Sequence, residues 1–269
     1  MKIKISAILI VKNEEKMIAN ALKTVGWCDE IIVIDNNSID QTKNIAQKFT
    51  NKIFSSSEVS FSKLRQLASQ KASGDYLFYL DADERVTRKL KEEIIGILEN
   101  KKKINLKIRR KNMFYGRYFY FGNWQNDWVL RFFAKQNLLS WSGDIHETPN
   151  VTGETTMLVQ ELIHFTHRNT KENTLKSASW TLMEAQLLAS QSAKVTRLMI
   201  LRKGIMEFWR RFFYYRGYKD GMEGFIESLV QGMNKFLIYI QIWELQQKMS
   251  LEEKYLKEDQ KIFAQWEDN

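Results

Sequence analysis

Apolar positions in the first part of the chain alternate between strand-length runs and stretches of helical period. Ile3 to Val11 reads as a strand, and from Asn13 to Val25 the apolar residues Met17, Ala21, Leu22 and Val25 recur at helical spacing. Glu30 to Asp35 is a second strand ending in an acid, followed by Asn36-Asn37-Ser38 and a helix to about Phe49. A short strand over Lys52 to Ser55, a helix over Ser60 to Ala72, the apolar run from Tyr76 to Leu80 and a helix over Val86 to Asn100 complete the pattern. Strands alternating with helices in units of this size predict an α/β fold with a mostly parallel sheet and right-handed crossovers. Ligands of such sheets bind at the carboxyl ends of the strands near the topological switch point, and Val11, Asp35 and Asp81 all fall there. Beyond the fourth helix the pattern changes to short aromatic-rich strands at Ile104 to Arg110, Phe114 to Phe121, Trp128 to Ala134 and Leu138 to Ser142. Loops at Gly116, Gly122-Asn123-Trp124 and Gly143 separate them, predicting a mixed edge to the sheet. From about Thr170 only helical stretches follow, over Glu172 to Leu188, Ala193 to Tyr215, Asp220 to Gln247 and Leu251 to Trp266. The expected division is a sheet domain at 1–168 and a helical region at 169–269.

The Tyr76 run ends in Asp81-Ala82-Asp83-Glu84. In extended backbone Asp81 and Asp83 point to the same side, and two converging carboxylates call for positive charge between them. A hard divalent cation bridging to phosphate oxygens satisfies that demand; capping of the next helix by these acids is the other reading. The glycine-rich phosphate loops of dinucleotide enzymes and P-loop NTPases are missing, so a nucleotide would be held by side chains and metal. Asp35 is placed to accept from a base or ribose, or to cap with Ser38. Arg65 either pairs with a phosphate or lies on a solvated helix face. All three histidines, His146, His164 and His167, fall close together without zinc-site spacing, either as a site or as packed residues.

Composition narrows this picture. The chain of 269 residues is 44% hydrophobic and 13% aromatic, which excludes disorder, and its net charge of +9 favours anionic partners. Its single cysteine, Cys28, allows no intrachain disulfide and reads as a packed thiol. Lys12-Asn13-Glu14-Glu15 interrupts the first apolar run without a cleavage site, and no run has bilayer-spanning length, so the expected location is cytoplasmic, free or peripheral on the membrane. In the helical region Arg197, Arg202, Lys203, Arg210, Arg211, Arg216 and Lys219 interleave with Met206, Phe208, Trp209, Phe212, Phe213, Tyr214, Tyr215 and Tyr218. That mixture suits either an anionic membrane interface or the core of a helical domain.

Together, Ala7 to Glu15, Ile32 to Thr42 and Gly74 to Glu84 resemble the motifs of family 2 glycosyltransferases of the GT-A fold. Trp141 to Glu147 followed by His164 is similar to the branch that transfers β-glucosyl units to the bacterial lipopolysaccharide core. The resemblance covers about 1–167. It implies a nucleotide diphosphate sugar donor, UDP-hexose favoured, and a glycan or glycolipid acceptor, with no nucleic acid partner. By the resemblance Asn13, Glu14, Asp35, Arg65 and Asp81 bind the donor. Asp81, Asp83 and His164 hold Mn²⁺ or Mg²⁺, and Glu147 is the general base of inverting transfer. The family's usual paired aspartates after the second strand read Asp35-Asn36 here. Two alternatives compete: a haloacid dehalogenase-like phosphatase using Asp81 and Asp83, and a basic RNA-binding protein.

Overall fold

The computed structural model describes residues 3–100, 103–143 and 147–267 and divides into two compact units after Arg168. The first unit runs β1 (Ile5–Val11), α1 (Ile18–Thr24), β2 (Glu30–Asp35), α2 (Thr42–Ala46), β3 (Ile53–Ser55), α3 (Phe61–Lys71), β4 (Tyr76–Tyr79), β5 (Glu84–Arg85) and α4 (Arg88–Asn100). It continues through β6 (Asn105–Phe114), β7 (Arg117–Tyr118), β8 (Trp128–Ala134), β9 (Leu138–Ser142), β10 (Thr148–Val151) and β11 (Thr155–Phe165). Among the described residues nine strands form one sheet in the order β3-β2-β1-β4-β8-β6-β11-β5, with β7 on β6, while β9 and β10 form a separate hairpin.

The order reverses between β1 and β4, because β2 and β3 are laid down to one side of β1 and β4 to the other. This is the switch point at which a crevice opens beyond the strand ends. Six of the nine strands run in one direction. The antiparallel strand β8 sits in the middle of the sheet, so the mixed character is not confined to an edge as expected.

Alternation within β1 explains why its run is apolar throughout. Ile5, Ala7, Leu9 and Val11 pack with residues of α1 and α4, while Ile8 packs on the opposite face with Leu64 and Ala68 of α3. The acid end of β2 is matched at the other end of the strand by Glu30. Its carboxylate accepts from Ser6 Oγ, Lys52 Nζ, the Ser73 N–H at 2.5 Å and the Gly74 N–H at 3.1 Å, tying together the starts of β1, β2, β3 and β4. Gly74 is required there, since an added Cβ would stand 2.5 Å from Ser6 Oγ.

Several elements differ from the sequence expectation for local reasons. The first helix starts at Ile18, not near Asn13, because Asn13 takes a left-handed φ of 55° and turns the chain. The Phe114 to Phe121 strand is instead the end of β6, a two-residue turn with positive φ at Tyr115 (48°) and Gly116 (83°), and β7. Thr87, not the acids, caps α4: its Oγ1 accepts from the Leu90 N–H at 3.1 Å. β5, β10 and the eleven-residue β11 carry no apolar alternation strong enough to be read as strands in advance. Cys28 is a free thiol, and burial pushes its pKa up, as befits a packed residue.

The second unit holds α5 (Thr170–Ala189), α6 (Arg197–Trp209), α7 (Gly221–Leu245) and α8 (Leu251–Glu267). Asn169 and Thr196 cap α5 and α6 by accepting from the Glu172 and Met199 N–H groups. α7 packs against both α5 and α6. The approach to α6 is close: an added Cβ at Gly232 would stand 3.1 Å from the Gly204 carbonyl oxygen. The expected continuous helix to Tyr215 ends in a π-helical turn over 210–214. Phe208 stacks on Phe212, and Phe225 meets both edge-to-face at 5.5–5.9 Å, whereas Met206, Trp209, Phe213, Tyr214 and Tyr218 are exposed, so the aromatics serve both as core and as surface. Arg210, which is exposed, and Arg211 both bind the buried Glu207, at 2.5 and 2.7 Å. Among the described residues no helix is long and apolar enough to cross a membrane.

Burial works to raise the pKa of Glu30, but hydrogen bonds from Lys52, Ser6 and Ser73 outweigh it and lower the value from 4.5 to about 2. A carboxylate with a depressed folded pKa stabilises above its unfolded pKa and loses that contribution as pH falls through the folded value. Glu30→Gln is therefore expected to be less stable than wild type in urea titrations above about pH 4.5, with the gap closing as pH approaches about 2. A gap independent of pH would show that the carboxylate charge plays no part.

Candidate active site

The turn that follows β4 sets the site. Asp81 to Glu84 is not extended: the Glu84 N–H returns to the Asp81 carbonyl at 3.0 Å, and Glu84 Oε2 accepts from the Asp81 N–H at 2.9 Å. The same-side argument for Asp81 and Asp83 thus gives way to a turn that clusters three carboxylates. Arginines supply counter-charge to Asp81. Asp81 Oδ2 pairs with Arg131 of β8, and Asp81 Oδ1 lies 3.4 Å from Arg65 of α3. Guanidinium groups contact both of its oxygens in this structure.

Arg131 also faces Glu84 at 3.6 Å, and Arg110 of β6 faces it at 3.5 Å. Glu84 is fully buried, and burial pushes its pKa up. Burial acts on Asp81 in the same sense, but Arg131 and then Arg65 outweigh it and hold that carboxyl below its ordinary range. Asp127 receives a two-pronged contact from Arg110, at 2.9 and 2.8 Å, which extends the network across the sheet.

Arg65 is the link to Glu147. Expected either on a solvated face or at a phosphate, it is buried, and its Nε and Nη2 reach Glu147 Oε1 at 2.7 and 2.6 Å. Its guanidinium lies 5.4 Å from the Tyr79 ring and 5.1 Å from the Trp141 ring, and Tyr79 donates to the Arg65 carbonyl at 2.8 Å. α3, β4 and β9 thus build an aromatic cage that aims one cation at two carboxylates. Glu147 reaches it from the turn between β9 and β10.

His164 arrives by strand pairing. It lies opposite Glu84 in the β11–β5 ladder and opposite Asn112 in the β11–β6 ladder. Its Nε2 stands 3.6 Å from Asp83 Oδ2, and its Nδ1 lies 2.6 Å from Asn112 Oδ1. The Asn112 amide group donates to Asp127 Oδ2 at 2.9 Å, which leaves Asn112 Oδ1 as acceptor for an Nδ1–H. In the neutral imidazole Nε2 then carries its lone pair on the side of Asp83. His167 instead packs its ring 5.0 Å from Phe114 in left-handed backbone, while His146 lies outside the described residues.

At the neighbouring strand ends, Asp35 is buried. Its Oδ2 receives only a 3.4 Å contact from the Ser38 N–H, and its Oδ1 has no hydrogen-bond partner among the described residues. It forms a local turn and caps no helix. Asn13 and Glu14 hold the first two strand ends together: Asn13 Oδ1 accepts from the Ile39 N–H at 2.9 Å, and the Glu14 N–H donates to Thr42 Oγ1 at 2.7 Å.

Arg131, Arg110, Asn112 and Asp127 escaped the sequence reading. The signal available was a lone arginine inside an apolar strand, Trp128-Val129-Leu130-Arg131-Phe132-Phe133, which implies a buried partner.

A parallel half-sheet with a switch point, acids at the ends of β2 and β4 and a mixed second half define a mixed α/β architecture with a crevice at the switch point. Residues 6–160 match the model of glycosyl transferase family 2, and the chain belongs to that family. It is 25% identical over 255 residues to an uncharacterized glycosyltransferase of Rickettsia conorii, covering 87% of this chain and 88% of the relative. It is 22% identical over 251 residues to the lipopolysaccharide core biosynthesis glycosyltransferase LpsC of Rhizobium meliloti, covering 90% and 93%. The crystal structure of Staphylococcus aureus TarS residues 1–349 in complex with UDP-GlcNAc superposes with a TM-score of 0.50 at 14% identity, covering 90% of each chain, a likeness of fold. The protein is a glycosyltransferase, and the phosphatase and RNA-binding alternatives give way.

Removing Arg131 leaves buried Glu84 and partly exposed Asp81 without their shared cation. Arg131→Met is expected to lower stability by about 3–5 kcal/mol, the usual cost of breaking a buried ion pair. Adding Glu84→Gln should recover part of that loss. Urea unfolding of the single and double variants provides the check, and strictly additive losses would count against a shared network.

Proposed function

We propose that this glycosyltransferase transfers a hexose with inversion from a nucleotide diphosphate sugar, UDP-linked by preference, to a lipopolysaccharide-type or lipid-linked glycan at the cytoplasmic membrane face. The observation that carries this reading is that one buried network, centred on Asp81, fixes both Glu147 and the turn bearing Asp83 at the switch point. The unpartnered Oδ1 of buried Asp35 is a ready acceptor for the N–H of a base, and the relatives' names support the donor and acceptor classes.

Glu147 is the general base. It takes the proton of the acceptor hydroxyl as that oxygen attacks the anomeric carbon, and the bond to the diphosphate breaks with its electron pair on the leaving group. Arg65 holds Glu147 in place through two contacts to its Oε1.

The donor set at Asp83 and His164 fits a divalent metal. A carboxylate oxygen and an imidazole lone pair stand 3.6 Å apart, and the imidazole is oriented from behind by Asn112. Among the described residues no cluster of three His, Cys, Asp or Glu forms a cage, so Mn²⁺ or Mg²⁺ here would draw its remaining ligands from phosphates and water. When bound, the metal would neutralise charge developing on the diphosphate.

Calorimetric titration with UDP, with and without Mn²⁺, is the primary test. Binding should require the metal and be lost in Asp83→Ala, whereas metal-independent binding of unchanged strength in that variant would sink the metal assignment. Asn112→Ala should weaken Mn²⁺-supported UDP binding about 10- to 100-fold. Glu147→Gln should retain UDP binding but turn over about 10²–10⁴-fold more slowly, and wild-type turnover would remove it as the base.

A further inference from the structure

The helical unit carries an open pocket of about 810 Å³ lined by α5, α6 and α7. Leu188, Ile205, Met206, Trp209 and Tyr239 give it aliphatic and aromatic walls, and Arg202, Lys203, Arg210 and Lys235 line it with positive charge. Two of these cations are already matched: Arg210 by Glu207 at 2.5 Å and Lys235 by Glu184 at 2.7 Å. Among the described residues the adjacent Arg202 and Lys203 make no ion pair, and Lys203 lies 5.4 Å from the Tyr239 ring.

Beside the cavity, α6 and the turn after it present a continuous apolar stripe. Leu198, Leu201, Ile205, Trp209 and Phe213 recur at helical spacing, and each is about half exposed or more. A soluble helix ordinarily turns such a stripe inward. Here the stripe borders an apolar cavity whose rim carries two uncompensated positive charges. That combination complements a molecule with an anionic head and a hydrocarbon tail. A nucleic-acid strand would instead need a run of cations along a groove.

We infer that the helical unit binds a single anionic phospholipid, its head-group phosphate at Arg202 and Lys203 and its acyl chain against the cavity wall and the α6 stripe. This deepens the membrane-attachment part of the function proposed above and does not depend on the donor site. It also centres the head-group contact on Arg202 and Lys203 rather than on Arg210 and Arg211, which share the Glu207 carboxylate.

The full chain is sedimented with phosphatidylcholine vesicles with and without phosphatidylglycerol. Phosphatidylglycerol should increase partitioning, and the double variant Arg202→Gln/Lys203→Gln should lose about tenfold or more of that increment. Native mass spectrometry should retain one phosphatidylglycerol per chain. Ile205→Gln/Met206→Gln, which keeps the charge, should lose it. Circular dichroism and UDP titration should match wild type in both variants, which separates this site from the donor site. Unchanged partitioning of the charge variant, or unchanged lipid retention by the wall variant, would overturn the proposal. Competition by glycerol phosphate as strong as by the lipid would reduce the site to a phosphate site. Displacement of the lipid by an RNA oligonucleotide would reassign it to nucleic acid.

Discussion

Asp81 is held between Arg131 and Arg65, and most of what is distinctive in the sheet unit follows from that arrangement. Buried charge is costly, so each member of the network constrains the others: Arg131 must also serve Glu84, Arg110 must serve both Glu84 and Asp127, and Arg65 must reach Glu147. The members come from α3, the β4 turn, β6, β8 and the β9–β10 turn. Elements far apart in the chain are thereby held in one arrangement, at the point where the strand order reverses. Such a network adds little net stability over an apolar core, and its value lies in setting positions.

The division of labour around the network is chemical. Asp81 faces guanidinium groups on both carboxylate oxygens, and Glu84 accepts from the Asp81 N–H, so the two organise the turn. Asp83 and His164 stand at the margin, where a carboxylate oxygen and an imidazole lone pair face each other without a hydrogen bond between them. Asn112, locked by Asp127, decides which imidazole nitrogen presents its lone pair. Glu147 is positioned by a cation held in an aromatic cage. Function-bearing groups at the rim are thus aimed by a buried layer that is itself fully charged.

The helical unit follows different physics. Its buried apolar cluster is small, with Ala185, Val195, Ile238 and Ile242, and close helix approach at Gly204 and Gly232 replaces bulky interdigitation. Large apolar side chains are left outward along α6 and lining its cavity. The buried acid Glu207 pairs with both the exposed Arg210 and the half-buried Arg211, whereas Arg202 and Lys203 have no acid partner among the described residues.

Local pattern was enough to determine the parallel half-sheet, the switch point, the acids at the ends of β2 and β4 and the division after Arg168, because strand and helix periods and turn residues act within a few positions of one another. The resemblance of three short motifs in order was enough for the family. Two kinds of information could not be read that way. Asp81, Asp83 and Arg65 were picked out by type, yet whether a carboxylate meets a metal or a guanidinium depends on which strand lies beside it. Arg131 and Arg110 come from strands added long after β4 in the chain. β5 likewise forms only by pairing with the end of β11, itself held along β6, and it is that pairing which carries His164 to Asp83. Residue chemistry was therefore present in the sequence, but the partners of each charge were set by long-range pairing, since Coulomb and hydrogen-bond energies depend on distance in space and not along the chain.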